Sequence, residues 1–274
     1  EFKPDVVIGT GGFASGPMLR AAAKKGIPTV IQEQNSFPGL TNKILAKHVS
    51  KICVAFDGLE KFFPKDKIVI TGNPVRNEVV KLEGKKPRAE EFFTLLGSKK
   101  TVLIVGGSLG ARTINHAVKK FVQKWNSEDI QVVWQTGKPF YEEAKQFVDC
   151  NNLGNVRVFD FISKMDLAYA MADIVISRAG AIAISELCLV KKPVILVPSP
   201  NVAEDHQTKN AMALVNHRAA ILVKDVEAND KLDETVQQLL NDTLRYEQLK
   251  SNIASLGMAN ATETIVSVIE ELVK

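Results

Sequence analysis

Short runs made almost wholly of apolar residues recur along this chain, and between them the apolar positions spread out to intervals of three and four. The runs at 6–8, 29–31, 52–55, 68–70, 101–105, 131–134, 156–159, 174–177, 194–197 and 220–223 predict strands. Most lack polar alternation, which means burial on both faces. Spacings of i, i+3 and i+4 predict helices over 112–125, 141–148, 164–171, 182–190 and 206–215. Strand and helix in alternation make βαβ units, so the predicted fold class is α/β, with mostly parallel strands covered on both faces.

The rhythm breaks over 82–100, where the charged Lys85-Lys86-Pro87-Arg88 precedes a short amphipathic piece at 90–96. Just before it stands the turn Thr71-Gly72-Asn73-Pro74-Val75-Arg76, so a domain junction is expected near 72–100 and a second sheet from Thr101. From Asp230 onward only helical patterns remain, with clear apolar spacing over 244–256 and 262–272.

Three strands end in glycine-rich turns that lead into helices. They are Val6-Val7-Ile8-Gly9-Thr10-Gly11-Gly12, closing on Ser15-Gly16-Pro17; Val102-Leu103-Ile104-Val105-Gly106-Gly107-Ser108-Leu109-Gly110-Ala111; and Ile174-Val175-Ile176-Ser177-Arg178-Ala179-Gly180-Ala181. Such turns let a backbone approach an anion closely, and the following helix offers free N–H groups and a partial positive charge. Their repetition points to a nucleotide-diphosphate ligand. Pro17 fits the first turn of a helix, which would make Gly9 to Pro17 one long turn.

Glu186 follows Gly180 by six residues, so one helix could hold a phosphate at its start and present a carboxylate to the vicinal hydroxyls of a ribose. The plainer reading of Glu186 is compensation of the helix dipole. Arg76 is either an ordinary surface cation or a clamp on a leaving diphosphate. Gln32-Glu33-Gln34-Asn35 close a strand, where polar side chains suit sugar hydroxyls.

Two other patterns compete. Gly106-Gly107-Ser108-Leu109-Gly110 matches a hydrolase nucleophile elbow, with Ser108, Asp160 and His206 in the required order. Gly9-Thr10-Gly11-Gly12-Phe13-Ala14 matches a loose dinucleotide fingerprint, with Glu33 as its ribose acid. Neither explains the other glycine turns. The four histidines form no metal-binding spacing and no Asp-X-Asp occurs, so no metal site is expected.

At 274 residues, 45% hydrophobic and 24% charged, the chain suits one large or two smaller globular domains. A net charge of +4 favours anionic ligands or an anionic membrane surface only weakly, and 7% aromatics without a sustained basic run argue against nucleic acid. Cys53, Cys150 and Cys188 are scattered and odd in number, which fits thiols and not a disulfide frame. No apolar run is long enough to cross a bilayer.

Read together, the pieces resemble the MurG family of glycosyltransferases over essentially the whole chain. Those pieces are Pro4-Asp5 through Gly12 with Ser15-Gly16-Pro17, Glu33-Gln34-Asn35 with Gly39-Leu40-Thr41-Asn42, and Gly72-Asn73-Pro74-Val75-Arg76. Gly106 through Ala111, Ser177 through Ala181 with Glu186, and Asp205-His206-Gln207 with Asn210-Ala211 complete them. The family adds N-acetylglucosamine to the lipid-linked muramyl-peptide precursor of bacterial peptidoglycan, by an inverting, metal-independent transfer without a cofactor.

The resemblance implies a GT-B architecture: two Rossmann-like domains with parallel sheets facing a cleft, the first incomplete. Residues 1–76 would be the C-terminal half of the acceptor-side domain and 77–100 a linker. Residues 101–240 would bind the UDP-sugar, and 241–274 would be helices packing back toward the first domain. It also implies that Ile162 meets uracil through its backbone and Glu186 the ribose. Ser108 and Arg76 would meet the diphosphate, with Ala181, Ile182 and Ala183 along a helix start beside the phosphates. Asn35 and Gln207 would meet the donor sugar, and Gly9, Thr10, Gly11 and Gly12 form an acceptor-side loop.

Ala183 stands where the family commonly has Thr, which leaves only a backbone donor there. The family's opening Gly-Gly-Thr-Gly-Gly-His loop, whose His is a candidate base, has no counterpart. The chain also enters a strand almost at once, so a fragment that binds UDP but does not turn over is expected. Expected partners are UDP-N-acetylglucosamine, undecaprenyl-linked muramyl-pentapeptide and, peripherally, the cytoplasmic face of the bacterial inner membrane. A UDP-sugar epimerase or a non-catalytic UDP-binding module of the same fold are the alternatives.

Overall fold

The computed structural model describes residues 2–273. Its strands are β1 (Val7–Gly9), β2 (Thr29–Glu33), β3 (Lys51–Val54), β4 (Ile68–Ile70), β5 (Thr101–Val105), β6 (Gln131–Gln135), β7 (Val156–Phe159), β8 (Ile174–Ser177), β9 (Val194–Leu196) and β10 (Ile221–Leu222). The α-helices are α1 (Gly12–Lys24), α2 (Leu40–Leu45), α3 (Asn77–Val80), α4 (Lys86–Phe93), α5 (Arg112–Ser127) and α6 (Lys138–Cys150). They continue with α7 (Met165–Met171), α8 (Ala181–Val190), α9 (His206–Val215), α10 (Ala228–Asn241), α11 (Thr243–Ser255) and α12 (Ala261–Val273). Each apolar run named above carries one of these strands, because a solid run of Val, Ile and Leu has no other way to bury both its faces.

The chain forms two compact units, one of Glu1–Val75 with Met258–Lys274 and the other of Arg76–Gly257. Unit 1 has a four-stranded sheet in the order β1-β2-β3-β4, all parallel. Side chains alternate across a strand, so neighbours in sequence enter different cores. Ile31 and Ile52 pack with Leu19, Leu45 and Phe63 on one face, whereas Val30 and Cys53 pack with Val268 of α12 on the other. Ile265, Ile269 and Leu272 extend that second face, at the helical spacing read from the sequence.

Unit 2 has a six-stranded parallel sheet in the order β10-β9-β8-β5-β6-β7. Its core takes in both tryptophans, and each finds a partner for its buried N–H. Trp125 donates to Asp233 at 2.7 Å and Trp134 to Asn115 at 3.0 Å, as buried indoles generally require.

Three features differ from the sequence reading. First, α1 starts at Gly12, not at Pro17. Gly11 and Gly12 turn the chain at φ +90° and +75°, and the Ser15 hydroxyl donates to the Gly11 carbonyl at 2.6 Å. Pro17 therefore sits inside the helix. The carbonyl it leaves without a donor belongs to Phe13, which is exposed to water, so the cost of an internal proline stays small.

Second, 77–100 is not a linker. Helices α3 and α4 pack against α7 within unit 2, and Phe93 is buried edge-on to Phe159 at 5.6 Å. Lys85 reaches Asp166 at 2.8 Å, and Arg157 donates to the carbonyls of Phe93 and Thr94 at the end of α4. The charge that looked like a linker signal is thus spent within unit 2. Third, 241–274 divides. Helix α11 packs against α8 and α10 of unit 2, and only α12 belongs to unit 1.

Cys53 and Cys188 are buried and Cys150 is exposed. Burial pushes the Cys53 thiol up to about 11 and the Cys188 thiol to about 12, because a thiolate loses its hydration there. Ellman's reagent should therefore titrate one thiol quickly in the native chain and all three cysteines of the sequence once it is unfolded. Fast reaction of two or more native thiols would contradict this packing.

Candidate nucleotide-binding site

The pairing of strands in unit 2 brings their exits into line. Val105 pairs with Ser177 on one side and Gln135 on the other, Gln135 pairs with Phe159, and Ser177 with Leu196. The loops after β9, β8, β5, β6 and β7 therefore leave the sheet at one level. Strand β5 is where the order reverses, with β6 and β7 to one side and β8 to β10 to the other. A crevice at the carboxyl ends of strands, at such a switch point, is where open α/β sheets bind ligands.

The loop after β5 carries Ser108, which is exposed. Its path depends on an absent Cβ at Gly110. That residue has φ +76°, and a Cβ there would lie 2.1 Å from the Thr136 carbonyl oxygen. Behind the loop, the buried side chain of Gln135 donates to the Gly107 carbonyl at 3.1 Å and accepts from the Ile162 N–H at 2.9 Å. Ile162 is buried and its N–H is taken by Gln135.

The loop after β8 leads into α8 with Gly180 at its N-cap. The first helical N–H groups, of Ala181, Ile182 and Ala183, have no carbonyl within the helix to bond. Ile184 is the first to bond back, to Gly180 at 2.9 Å. Anions favour such an end. Less than two turns on, Glu186 is half-buried and accepts from the Tyr169 hydroxyl at 3.2 Å. Burial raises the Glu186 carboxyl above its ordinary value, while the Tyr169 hydrogen bond and the charge of Arg76 pull it back down. Arg76 itself is exposed.

Gln207, at the start of α9, accepts from the Ala179 and Ser199 N–H groups at 3.2 and 2.9 Å. Its carbonyl oxygen thereby ties the loop after β8 to that after β9. Arg178 does the same with charge, donating to the carbonyls of Val197 and Pro198 and pairing with Asp225. Gln135, Tyr169 and Arg178 were assigned no role from the sequence.

In unit 1, Glu33 is buried and fully engaged. Its carboxylate accepts from the Asn35 N–H at 3.0 Å, the Gly39 N–H at 3.1 Å and the Asn42 amide at 2.8 Å. It shapes the loop that carries Asn35, and this commitment argues against a ribose-binding role in a dinucleotide site. Gln32 donates to Asn73 at 2.8 Å, and Asn73 donates to the Gln34 carbonyl at 3.0 Å. Gln34 donates in turn to the Thr10 carbonyl at 3.1 Å, so the Gly9–Thr10–Gly11–Gly12 turn and the loop after β2 form one polar rim.

The hydrolase reading fails on topology. Asp160 follows β7 and His206 follows β9, four strand positions apart. That is about 19 Å across the sheet, too far for a carboxylate to orient an imidazole. Among the described residues no group of three or more His, Cys, Asp and Glu side chains could hold a metal ion.

Comparison with known proteins bears on the family and the fold. Residues 101–265 match the glycosyltransferase family 28 C-terminal domain and residues 1–54 the family 28 N-terminal domain. A curated relative from Flavobacterium psychrophilum is 53% identical over 274 residues, which is 100% of this chain and 74% of that protein. It is named UDP-N-acetylglucosamine--N-acetylmuramyl-(pentapeptide) pyrophosphoryl-undecaprenol N-acetylglucosamine transferase. The crystal structure of Acinetobacter baumannii MurG superposes with a TM-score of 0.80 at 28% identity, covering 97% of this chain and 73% of that one. A UDP-GlcNAc 2-epimerase from Neisseria meningitidis, bound to UDP-GlcNAc, has a TM-score of 0.70 at 18% identity, covering 98% and 77%. That likeness shows the fold alone. The two parallel sheets with their interleaved helices are a GT-B fold.

The raised Glu186 carboxyl fixes a sign. The folded chain holds this proton more tightly than the unfolded chain, so stability falls as pH rises from the ordinary value of 4.5 through the raised one. Glu186→Gln keeps the shape and removes the charge. It should melt higher than the native chain near neutral pH, with the gain shrinking in acid below that window. A melting point unchanged at neutral pH would contradict the burial cost.

Proposed function

This chain belongs to glycosyltransferase family 28, and on that premise we propose that it transfers N-acetylglucosamine from UDP-N-acetylglucosamine to a lipid-linked acceptor. The acceptor group is the C4 hydroxyl of the muramyl sugar in undecaprenyl-pyrophosphoryl-muramyl-pentapeptide. The observation that supports this reading best is the level exit of β5 and β8 on adjacent strands. It sets the Ser108 loop beside the start of α8, with Glu186 further along the same helix. That is an arrangement for a diphosphate followed by a ribose.

In this reading the backbone at Ile162 meets the uracil, and Glu186 accepts from both ribose hydroxyls. The diphosphate lies against Ser108, Arg76 and the N–H groups of Ala181, Ile182 and Ala183. The free amide of Gln207, whose oxygen is already committed, serves the donor sugar. The Gly9, Thr10, Gly11 and Gly12 turn serves the acceptor.

The acceptor oxygen attacks the anomeric carbon from the face opposite UDP, so configuration inverts. The bond from that carbon to the phosphate oxygen breaks, and the electron pair leaves with UDP. The acceptor's proton passes to a base. The negative charge that grows on the diphosphate meets Arg76 and fixed backbone donors, which need no reorganisation during the step. We therefore assign the charge stabilisation to protein groups, without a metal.

No helix among the described residues is long and apolar enough to cross a membrane. We place the protein peripherally, at the cytoplasmic face of the bacterial inner membrane, because its acceptor would be anchored in lipid. The exposed apolar side chains of Phe13 and Met18 on α1, and of Leu40 and Ile44 on α2, support such a contact.

Calorimetry should show UDP binding that Glu186→Ala weakens by about tenfold, the worth of a charge-assisted hydrogen bond. Unchanged affinity would remove the ribose assignment. With the intact gene product and radiolabelled donor, Arg76→Ala should lower kcat by about a hundredfold, as loss of one transition-state donor does. Donor incubated without acceptor should stay unaltered; appearance of an epimerised sugar would favour the alternative reading. Flotation with anionic vesicles should be reduced in Phe13→Ser combined with Leu40→Ser, and equal flotation would displace the membrane contact from these helices.

A further inference from the structure

Strand β6 lies between the strands that deliver the Ser108 loop and the Ile162 segment, yet it was assigned no ligand contact. Its last residues touch both neighbours. Gln135 is 3% exposed, and its side chain spans from the Gly107 carbonyl to the Ile162 N–H. The Thr136 N–H and hydroxyl both donate to the Phe159 carbonyl, at 2.9 and 3.1 Å. Gly137 backs directly onto Gly110, where an added Cβ would lie 2.4 Å from the Gly110 nitrogen.

The Gln135 bonds fix more than distance. A peptide unit is planar and trans, so its C=O and N–H point in opposite directions. Holding the Gly107 carbonyl inward on the Gln135 amide turns the Ser108 N–H outward, toward the exposed side of the loop. The Gly107 carbonyl also accepts from the Gly110 N–H at 3.1 Å, and the Gln135 amide adds a second hold, from β6, on a peptide that at φ +84° has little steric restraint of its own and on flipping would show an anion an oxygen where it needs a donor. On the other side, the Phe161–Ile162 peptide is held with its N–H on Gln135 and its carbonyl turned away. The amide cannot reverse, because a flipped Gln135 would face carbonyl with carbonyl and N–H with N–H.

We propose that Gln135 is a positioning residue that couples the diphosphate loop to the base-contacting segment, so that the nucleoside and phosphate ends of the ligand are bound cooperatively. This rests on the nucleotide reading of the site given above. Ordering one loop on its part of the ligand also orders the other through a single buried carboxamide. Strand spacing puts the two loops about 10 Å apart, the scale of a nucleoside diphosphate and too far for direct contact.

Gln135→Glu separates the two bonds. The carboxylate still accepts from Ile162 but no longer donates to Gly107, and it sets a negative charge behind the phosphate loop. By calorimetry, this variant should bind UDP at least tenfold more weakly than the native chain, the cost of a lost hydrogen bond with an added repulsion, while uridine affinity stays within about twofold. Gln135→Met should weaken both ligands. Equal loss for UDP and uridine in Gln135→Glu, or no loss for either, would overturn the proposal.

A native-chain measurement covers the case in which the variants do not fold. Uridine has no phosphate, yet through Gln135 it should raise amide-exchange protection at Ser108 as well as at Ile162. Protection confined to Ile162 would overturn the coupling. Absence of UDP binding by the native chain would instead remove the nucleotide reading itself, and this proposal with it.

Discussion

The structure depends on parallel strands that stop together. In unit 2 the register from Leu196 through Ser177, Val105 and Gln135 to Phe159 is a row of hydrogen-bonded partners with no bulge. Five loops therefore leave one edge at the same height, and groups far apart in sequence can face one small molecule. A slip of one residue in any strand would turn its side chains to the opposite face and lift its loop out of line. The buried Val, Ile and Leu of those strands make such a slip costly, so the core sets the geometry of the site.

The polar groups in and around the site divide their work. Some hold backbone to backbone: Gln135, Arg178 and the carbonyl oxygen of Gln207 each tie together loops from separate strands. Others are left toward solvent, as at Ser108, Arg76 and the first amides of α8. Glu186 stands between the two groups, half-buried against Tyr169 yet ionisable. Its burial works against the folded state, as preorganised sites often do. Glu33 in unit 1 shows the other outcome, a carboxylate wholly used in shaping its own loop.

Much of this was legible beforehand, for a physical reason. A strand buried on both faces must be a solid apolar run, and a glycine turn behind it leaves a visible gap, so the strands and the loops at Ser108 and Gly180 could be read directly. Other features gave weaker signals. Lys85-Lys86-Pro87-Arg88 looked like a linker because one residue's charge says nothing about a partner 81 residues on, as with Lys85 and Asp166. Tyr169 lies among Leu167, Ala168, Ala170 and Met171 and looks like core, which it is, except for one hydroxyl. Gln135 did leave a trace, a polar residue ending the run Val132-Val133-Trp134 where the neighbouring runs stay apolar or end in a small residue. Pro17 misled because the glycines before it, and the open surface around Phe13, relax the rule it usually enforces.

The return of α12 to unit 1 bears on how the chain comes off the ribosome. Unit 2 is one unbroken segment, Arg76–Gly257, whereas unit 1 is completed by Met258–Lys274. Val30 and Cys53 have no cover from Val268 until the segment that carries α12 has been made. The half made first must wait for its final helix, while the half made second can fold as it emerges. During synthesis the early strands are the ones that need shielding from unwanted contacts, and a chain lacking α12 would leave that apolar face bare.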